Sequence, residues 1–220
     1  MEHRTAYDLS KSKRIEHAVE ISAEMFLKSG IEAVKMTDIA DQCGVGVATL
    51  YRYFGTKTVI TVSAMTYLWT KLRKQYDHAF ETAEFRKQSG IKQLSDMMGM
   101  YLVLFDRHSD FMKLVGEFDL MLVHEDIPKS ALTEYEASII NFYPYMESAF
   151  LAGNQDGSVR TDIDFKLFYQ TFGHSMLELC KKMLCGELLP SEDFSGGRAE
   201  LDQLLKMGIC YLRSSSAETA

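Results

Sequence analysis

Asp38-Ile39-Ala40-Asp41-Gln42-Cys43-Gly44-Val45-Gly46-Val47-Ala48-Thr49-Leu50-Tyr51-Arg52-Tyr53-Phe54-Gly55-Thr56-Lys57 is the stretch on which the fold turns. Its spacing predicts two short helices around a tight turn and the start of a third helix at the lysine. Ile39 and Ala40 form the inward side of the first helix, and Gly44 supplies a residue that reaches positive φ without a Cβ clash. Val45 fills the crook of the turn. Leu50 and Phe54, four apart, give the second helix one buried edge. Val47, Ala48, Thr49, Tyr51, Arg52 and Tyr53 are left pointing mostly outward. Two tyrosines and an arginine are costly as plain surface and useful in a major groove. The pattern is that of a helix-turn-helix.

The spaced set Phe26-Leu27-Lys28-Ser29-Gly30, Asp38-Ile39-Ala40, Gly44-Val45, Thr49-Leu50-Tyr51, Tyr53-Phe54 and Lys57 resembles the DNA-binding signature of the tetracycline-repressor (TetR) family of bacterial regulators. The resemblance implies an all-α chain: a three-helix head over residues 1–57, then a helical ligand-binding and dimerisation bundle over 58–220. Two positions depart from the family pattern. Lys35 stands where Ser or Thr usually caps the second helix, and a lysine cannot accept the capping bond. Gly46 replaces a serine before the third.

Candidate DNA contacts follow from chemistry and from the resemblance together. Lys57 opens a helix, where an ammonium and free N–H groups can face one phosphate. Thr49, Tyr51 and Tyr53 offer hydroxyls along one strip, and the resemblance implies that they touch backbone phosphates. Arg52 is the strong base reader, because a guanidinium engages guanine O6 and N7 together. Val47 and Ala48 supply apolar contact to a thymine methyl; Lys35 and Thr37 reach phosphate.

Composition sets the limits of this reading. The 220 residues are 46% apolar with three prolines, and helical spacing dominates. Residues 1–57 hold eight Lys/Arg and eight Asp/Glu, so the net charge of −7 lies entirely in residues 58–220. A neutral head with placed cations suits a specific, salt-sensitive contact better than a polybasic grip. The first residues lack a signal-peptide pattern, and no apolar run approaches a membrane span, so a cytoplasmic location is expected. Cys43, Cys180, Cys185 and Cys210 show no paired spacing and are expected to be buried, reduced thiols.

Further along, helices are predicted over about 13–29, 36–43, 47–54, 56 to the low eighties, 91–107, from 109, 128–152 with a kink at Pro144, 165–186 and 198–213. Polar connections are expected at 85–90 and 153–162. The resemblance implies an effector cavity in the body. Trp69, Met98, Tyr101, Phe105, Phe118, Met121, Phe142, Tyr143 and Met146 are candidate lining for an apolar or aromatic ligand, with ordinary core as the alternative. Glu117, Asp119 and Glu125 read as solvated carboxylates, with a cation as the alternative. Phe165, Phe168, Tyr169, Phe172, Met176, Leu177 and Leu184, then Leu201, Leu204, Leu205, Ile209 and Leu212, form apolar stripes that match the family's four-helix dimer seam.

His174 and Glu178 lie four apart, but Cys180 falls on the opposite side of their helix, so no metal set is read. Without a phosphate loop, nucleophile elbow or zincin motif, neither a cofactor nor an enzymatic activity is expected. The function expected is a homodimeric regulator, a repressor released from operator DNA by a small molecule. An activator or a protein-controlled regulator of the same fold stays open. So does a ligand carrier or enzyme with a vestigial head.

Overall fold

Apolar residues at helical spacing build the whole chain; the computed structural model describes residues 6–76, 78–186 and 189–214. The helices are α1 (Ala6–Ser29), α2 (Met36–Cys43), α3 (Val47–Phe54), α4 (Lys57–Tyr76), α5 (Ala83–Arg86), α6 (Gly90–Met98), α7 (Met100–Arg107), α8 (Ser109–His124), α9 (Lys129–Ser138), α10 (Tyr143–Asp156), α11 (Phe165–Cys185) and α12 (Gly197–Leu212). The fold is all-α. An isolated antiparallel bridge, Val159 to Arg213, is the extended pairing among the described residues.

Two compact units form, Met1–Gln75 with Leu114–Ile140, and Tyr76–Lys113 with Asn141–Ala220. The first unit therefore holds the expected head together with most of α4 and α8. Phe26, Ile39 and Leu50 are almost completely buried where α1, α2 and α3 meet. Ile60, Met65, Leu114 and Phe118 form the continuation of that core along α4 and α8. Ser22 is buried without loss because its hydroxyl donates to the Ala18 carbonyl at 2.6 Å.

In the second unit α6 crosses α10 at glycines. A Cβ on Gly90 would lie 2.1 Å from the Gly153 nitrogen, and one on Gly153 would lie 2.3 Å from Val159 Cγ2. The same crossing caps α6: the Gly90 N–H donates to Asp156 Oδ2 at 2.8 Å, and the Ile91 N–H to Ser158 Oγ at 3.1 Å. Around it Leu94, Met97, Met98 and Met176 are buried. Asp164 caps α11, accepting from the Leu167 N–H at 3.0 Å.

Several boundaries differ from the sequence reading, each for a local reason. The helix expected over 91–107 is two, broken at Gly99, where Leu102 N–H bonds three residues back to Gly99 at 3.0 Å. The helix expected over 128–152 is also two. Pro144 sits in the first turn of α10 and so starts a helix instead of kinking one, since no N–H is needed there. The turn expected from Gly153 begins later, because α10 runs to Asp156 and ends at Gly157. The polar connection at 85–90 contains the end of short α5, capped by the Thr82 hydroxyl.

The cysteines are a clearer correction. All four are free thiols, but only Cys180 is buried; Cys43 is half-buried and Cys185 and Cys210 are exposed. Burial pushes the Cys180 thiol up to about 12. Cys185 and Cys210 fall on outward positions of α11 and α12, which a count of apolar residues does not distinguish.

Candidate nucleic-acid interface

The turn between α2 and α3 is built as the glycine pattern requires. Gly44 sits at φ 66°, ψ 32°, and Val45 N–H closes back on the Ala40 carbonyl at 3.0 Å. No neighbouring atom would meet a Cβ at Gly44, so the backbone angle alone selects glycine there. Lys35 is the residue before α2, and its side chain makes no capping bond. Asp38 answers in part, its carboxylate accepting the Lys35 N–H at 2.8 Å. Gly46 precedes α3 in extended geometry, and the Thr49 N–H bonds its carbonyl at 2.8 Å.

Leu50 and Phe54 anchor α3 on its buried edge. The other side carries Val47, Ala48, Tyr51 and Arg52 exposed, with Thr49 and Tyr53 half-buried. Tyr51 is 50% exposed, a large aromatic surface for a residue with no packing duty. The Arg52 guanidinium lies 5.7 Å from the centre of the Tyr53 ring, which itself stands edge-on to Phe54 at 6.5 Å. Gly55 ends α3 at φ 73°, and Thr56 caps α4 by accepting the Val59 N–H at 3.2 Å.

Lys57 is then the first residue of α4. Its Nζ donates to the Glu32 carbonyl at 3.3 Å, in the turn between α1 and α2. Partial burial lowers its pKa, while Glu32, Glu125 and Asp38 act in the opposite sense. Lys35 and Thr37 are exposed at the start of α2. All nine residues expected at DNA are thus exposed or half-buried on the head.

Two carboxylates and one main-chain carbonyl beside them were not expected to matter to the head. Glu117 Oε2 accepts the Ile31 N–H at 2.7 Å, and Glu125 accepts from the Thr58 hydroxyl. Glu32 contributes the carbonyl that meets Lys57. The sequence did carry one signal: Glu117 and Glu125 are eight apart, on one face of one helix.

The nine ligand candidates are divided between the two units. In the first, Trp69 and Phe118 meet on Tyr135, a residue the sequence reading passed over: Trp69 Nε1 donates to its hydroxyl at 3.3 Å, and Phe118 packs on its ring at 4.8 Å. Phe118 is fully buried, and Met121 is half-buried on α8. In the second, Met98 and Met146 are buried, while Tyr101, Phe105, Phe142 and Tyr143 are half-buried. Tyr101 packs edge-on to Phe172, Phe142 to Phe80, and Tyr143 to Tyr169. Burial drives the Tyr101 hydroxyl pKa well up, with Tyr169 and Cys180 adding to it. His174 and Glu178 are both exposed on α11, where Glu178 pairs with Lys181 at 2.6 Å.

This geometry defines a class: an all-α protein that presents a helix-turn-helix. Residues 19–62 match the model of the bacterial regulatory proteins of the tetR family. The match covers the head, and the whole chain has the fold of solved TetR-family regulators. A TetR transcription regulator from Haloarcula marismortui superposes with a TM-score of 0.68 at 14% identity, over 92% of this chain and 100% of that one. The transcriptional regulator FadR from Bacillus subtilis, in complex with stearoyl-CoA, gives 0.60 at 15% identity, over 90% and 99%. The ketosteroid transcriptional regulator KstR2 of Mycobacterium tuberculosis gives 0.54 at 17% identity, over 92% and 96%. No curated protein sequence matches the chain. No helix among the described residues is long and apolar enough to cross a membrane.

Proposed function

We propose that this protein is a ligand-responsive transcriptional regulator: a cytoplasmic homodimer that represses by binding operator DNA and is released by a small molecule. The observation that carries the reading is the outer side of α3, where Tyr51 and Arg52 stand exposed beside Lys57 on the capped start of α4. Residues 1–57 act as the head and 58–220 as the ligand-binding and dimerisation body. Tyr51, Tyr53, Thr49, Thr37, Lys35 and Lys57 hold phosphates and set the register. Arg52 reads a guanine edge, with Val47 and Ala48 against thymine methyls.

Two heads reading half-sites about one helical turn apart require a dimer. The face of α11 and α12 fits that need. Leu167 and Met207 are 59% and 58% exposed, and a shallow groove of about 350 Å³ runs over Leu167, Phe168, Leu204 and Tyr211. The effector is apolar or aromatic, as the methionine- and aromatic-rich body favours. A fatty acyl thioester bound to the Bacillus subtilis neighbour is in keeping with that chemistry. The ligand favours a head spacing that no longer matches successive major grooves.

The test is selection of DNA sites from a random pool by the purified protein, followed by footprinting of the DNA upstream of its gene. A palindromic site protected at nanomolar protein is expected. Absence of binding to any fragment at low salt overturns the reading in favour of a carrier or enzyme.

A further inference from the structure

Glu117 and Glu125 belong to α8, outside the helix-turn-helix. Eight residues apart, they stand about 12 Å from each other along one helix face. They reach the head at two different places. Glu117 takes the Ile31 N–H in the turn between α1 and α2, and Glu125 takes the hydroxyl of Thr58, the neighbour of Lys57. Lys57 closes the figure by donating to the Glu32 carbonyl in that same turn. The turn is shaped for this contact: Gly30 sits at φ +79°, and a Cβ there would lie 2.9 Å from both Glu117 carboxylate oxygens.

Between the anchors, α8 and the head leave a hollow of about 470 Å³ bordered by Ile31, Lys57, Leu120, Met121 and His124. Leu120 is 64% exposed beside it. In a packed contact, interdigitated side chains would set the separation of the two parts. Along this open hollow, beside the buried core of Leu114 and Phe118, the hydrogen bonds add that constraint where packing is lacking. The turn they hold leads directly into Lys35 and Thr37, while Lys57 opens α4.

We infer that Glu117 is a positioning residue of the DNA interface: through the Ile31 N–H it holds the start of α2 at the distance from α4 at which both can meet phosphates of one DNA strand. Glu117 itself touches no DNA. The inference rests on the DNA-binding reading above.

Three variants separate geometry from charge. Glu117→Gln keeps a carbonyl acceptor of the same length without the charge. Glu117→Asp keeps the charge but is one methylene shorter, and Glu117→Ala keeps neither. Each is measured for affinity to the DNA site selected by the wild type, for hydrogen exchange at the Ile31 amide, and for melting temperature. Glu117→Gln should bind within about threefold of wild type with Ile31 still protected. Glu117→Asp and Glu117→Ala should each lose roughly tenfold or more in affinity, with faster Ile31 exchange at nearly unchanged melting temperature. Should Glu117→Ala unfold, the Gln and Asp variants decide between them. Wild-type affinity in Glu117→Asp, or a Gln variant as weak as Ala, overturns the inference while leaving the DNA-binding reading intact. A wild type that binds no DNA removes both.

Discussion

At the scale of single residues, Lys57 and Phe118 show how differently exposed and buried groups should respond. Lys57 is half-buried, and its amine titrates below an ordinary lysine because burial disfavours the charged form. The sign for stability follows. The folded state holds the proton less tightly than the unfolded one, so this group favours folding more as pH rises from its lowered pKa toward the ordinary lysine value. With Lys57 on a phosphate as proposed, DNA affinity should run the other way, full while the ammonium is charged and falling as pH climbs through that lowered pKa. Lys57→Arg should therefore bind with a flatter pH profile than wild type on the alkaline side, below the ordinary lysine value. Lys57→Ala should weaken all DNA sequences alike and reduce the salt slope by about one. Anisotropy titrations at stepped pH and salt check both, and identical profiles for lysine and arginine would remove Lys57 from the phosphate contact. Phe118 is fully buried against Tyr135. Truncation to Ala should cost ~3–5 kcal/mol in chemical denaturation, as for any large core residue. A variant of near-wild stability whose effector response alone is altered would instead make Phe118 a ligand contact.

At the scale of elements, glycines in this chain serve two physical ends that look alike in sequence. Gly44 is required by its backbone angle, with open space where a Cβ would go. Gly153 is required by a close approach, and the atom in the way is a methyl of Val159. Gly153→Ala should therefore destabilise by roughly 1–3 kcal/mol through overpacking, and adding Val159→Ala should recover part of that loss. Strictly additive losses in the double variant, measured by urea unfolding, would mean that the two residues do not meet. Pro144 carries the same lesson. Its chemistry is unchanged whether it kinks a helix or starts one, and only the break at residues 139–142 makes it a starter.

At the scale of the whole molecule, the question is what α11 and α12 do with their remaining apolar surface. Phe172 and Leu205 lie on the expected seam but are buried within the protomer, at 6% and 8% exposure. A charge there would unfold the chain and say nothing about assembly. Leu167 and Met207 are exposed in the single chain. Leu167→Glu and Met207→Glu should yield a folded monomer in sedimentation equilibrium, with DNA affinity falling by at least a hundredfold as the second half-site is lost. A dimer that survives both substitutions would place the seam elsewhere.

The sequence by itself determined the head. The order Ile39, Ala40, Gly44, Leu50, Phe54 writes helix, turn and helix through contacts no more than a few residues apart, and short-range periodicity and turn chemistry are what a sequence records. The outward strip from Val47 to Tyr53 follows from the same period, as does the all-α class. Tertiary structure decided the rest, because the deciding partners are remote in the chain. Ile31 and Glu117 are separated by 86 positions, and Thr58 and Glu125 by 67. No local pattern distinguishes a carboxylate that clasps a turn from one that faces water. Gly153 likewise reads as a turn residue until Gly90 and Val159 are brought against it. Cys185 and Cys210 read as core until their helices are rotated into place, since which side of an apolar-rich helix is buried is chosen by its neighbours.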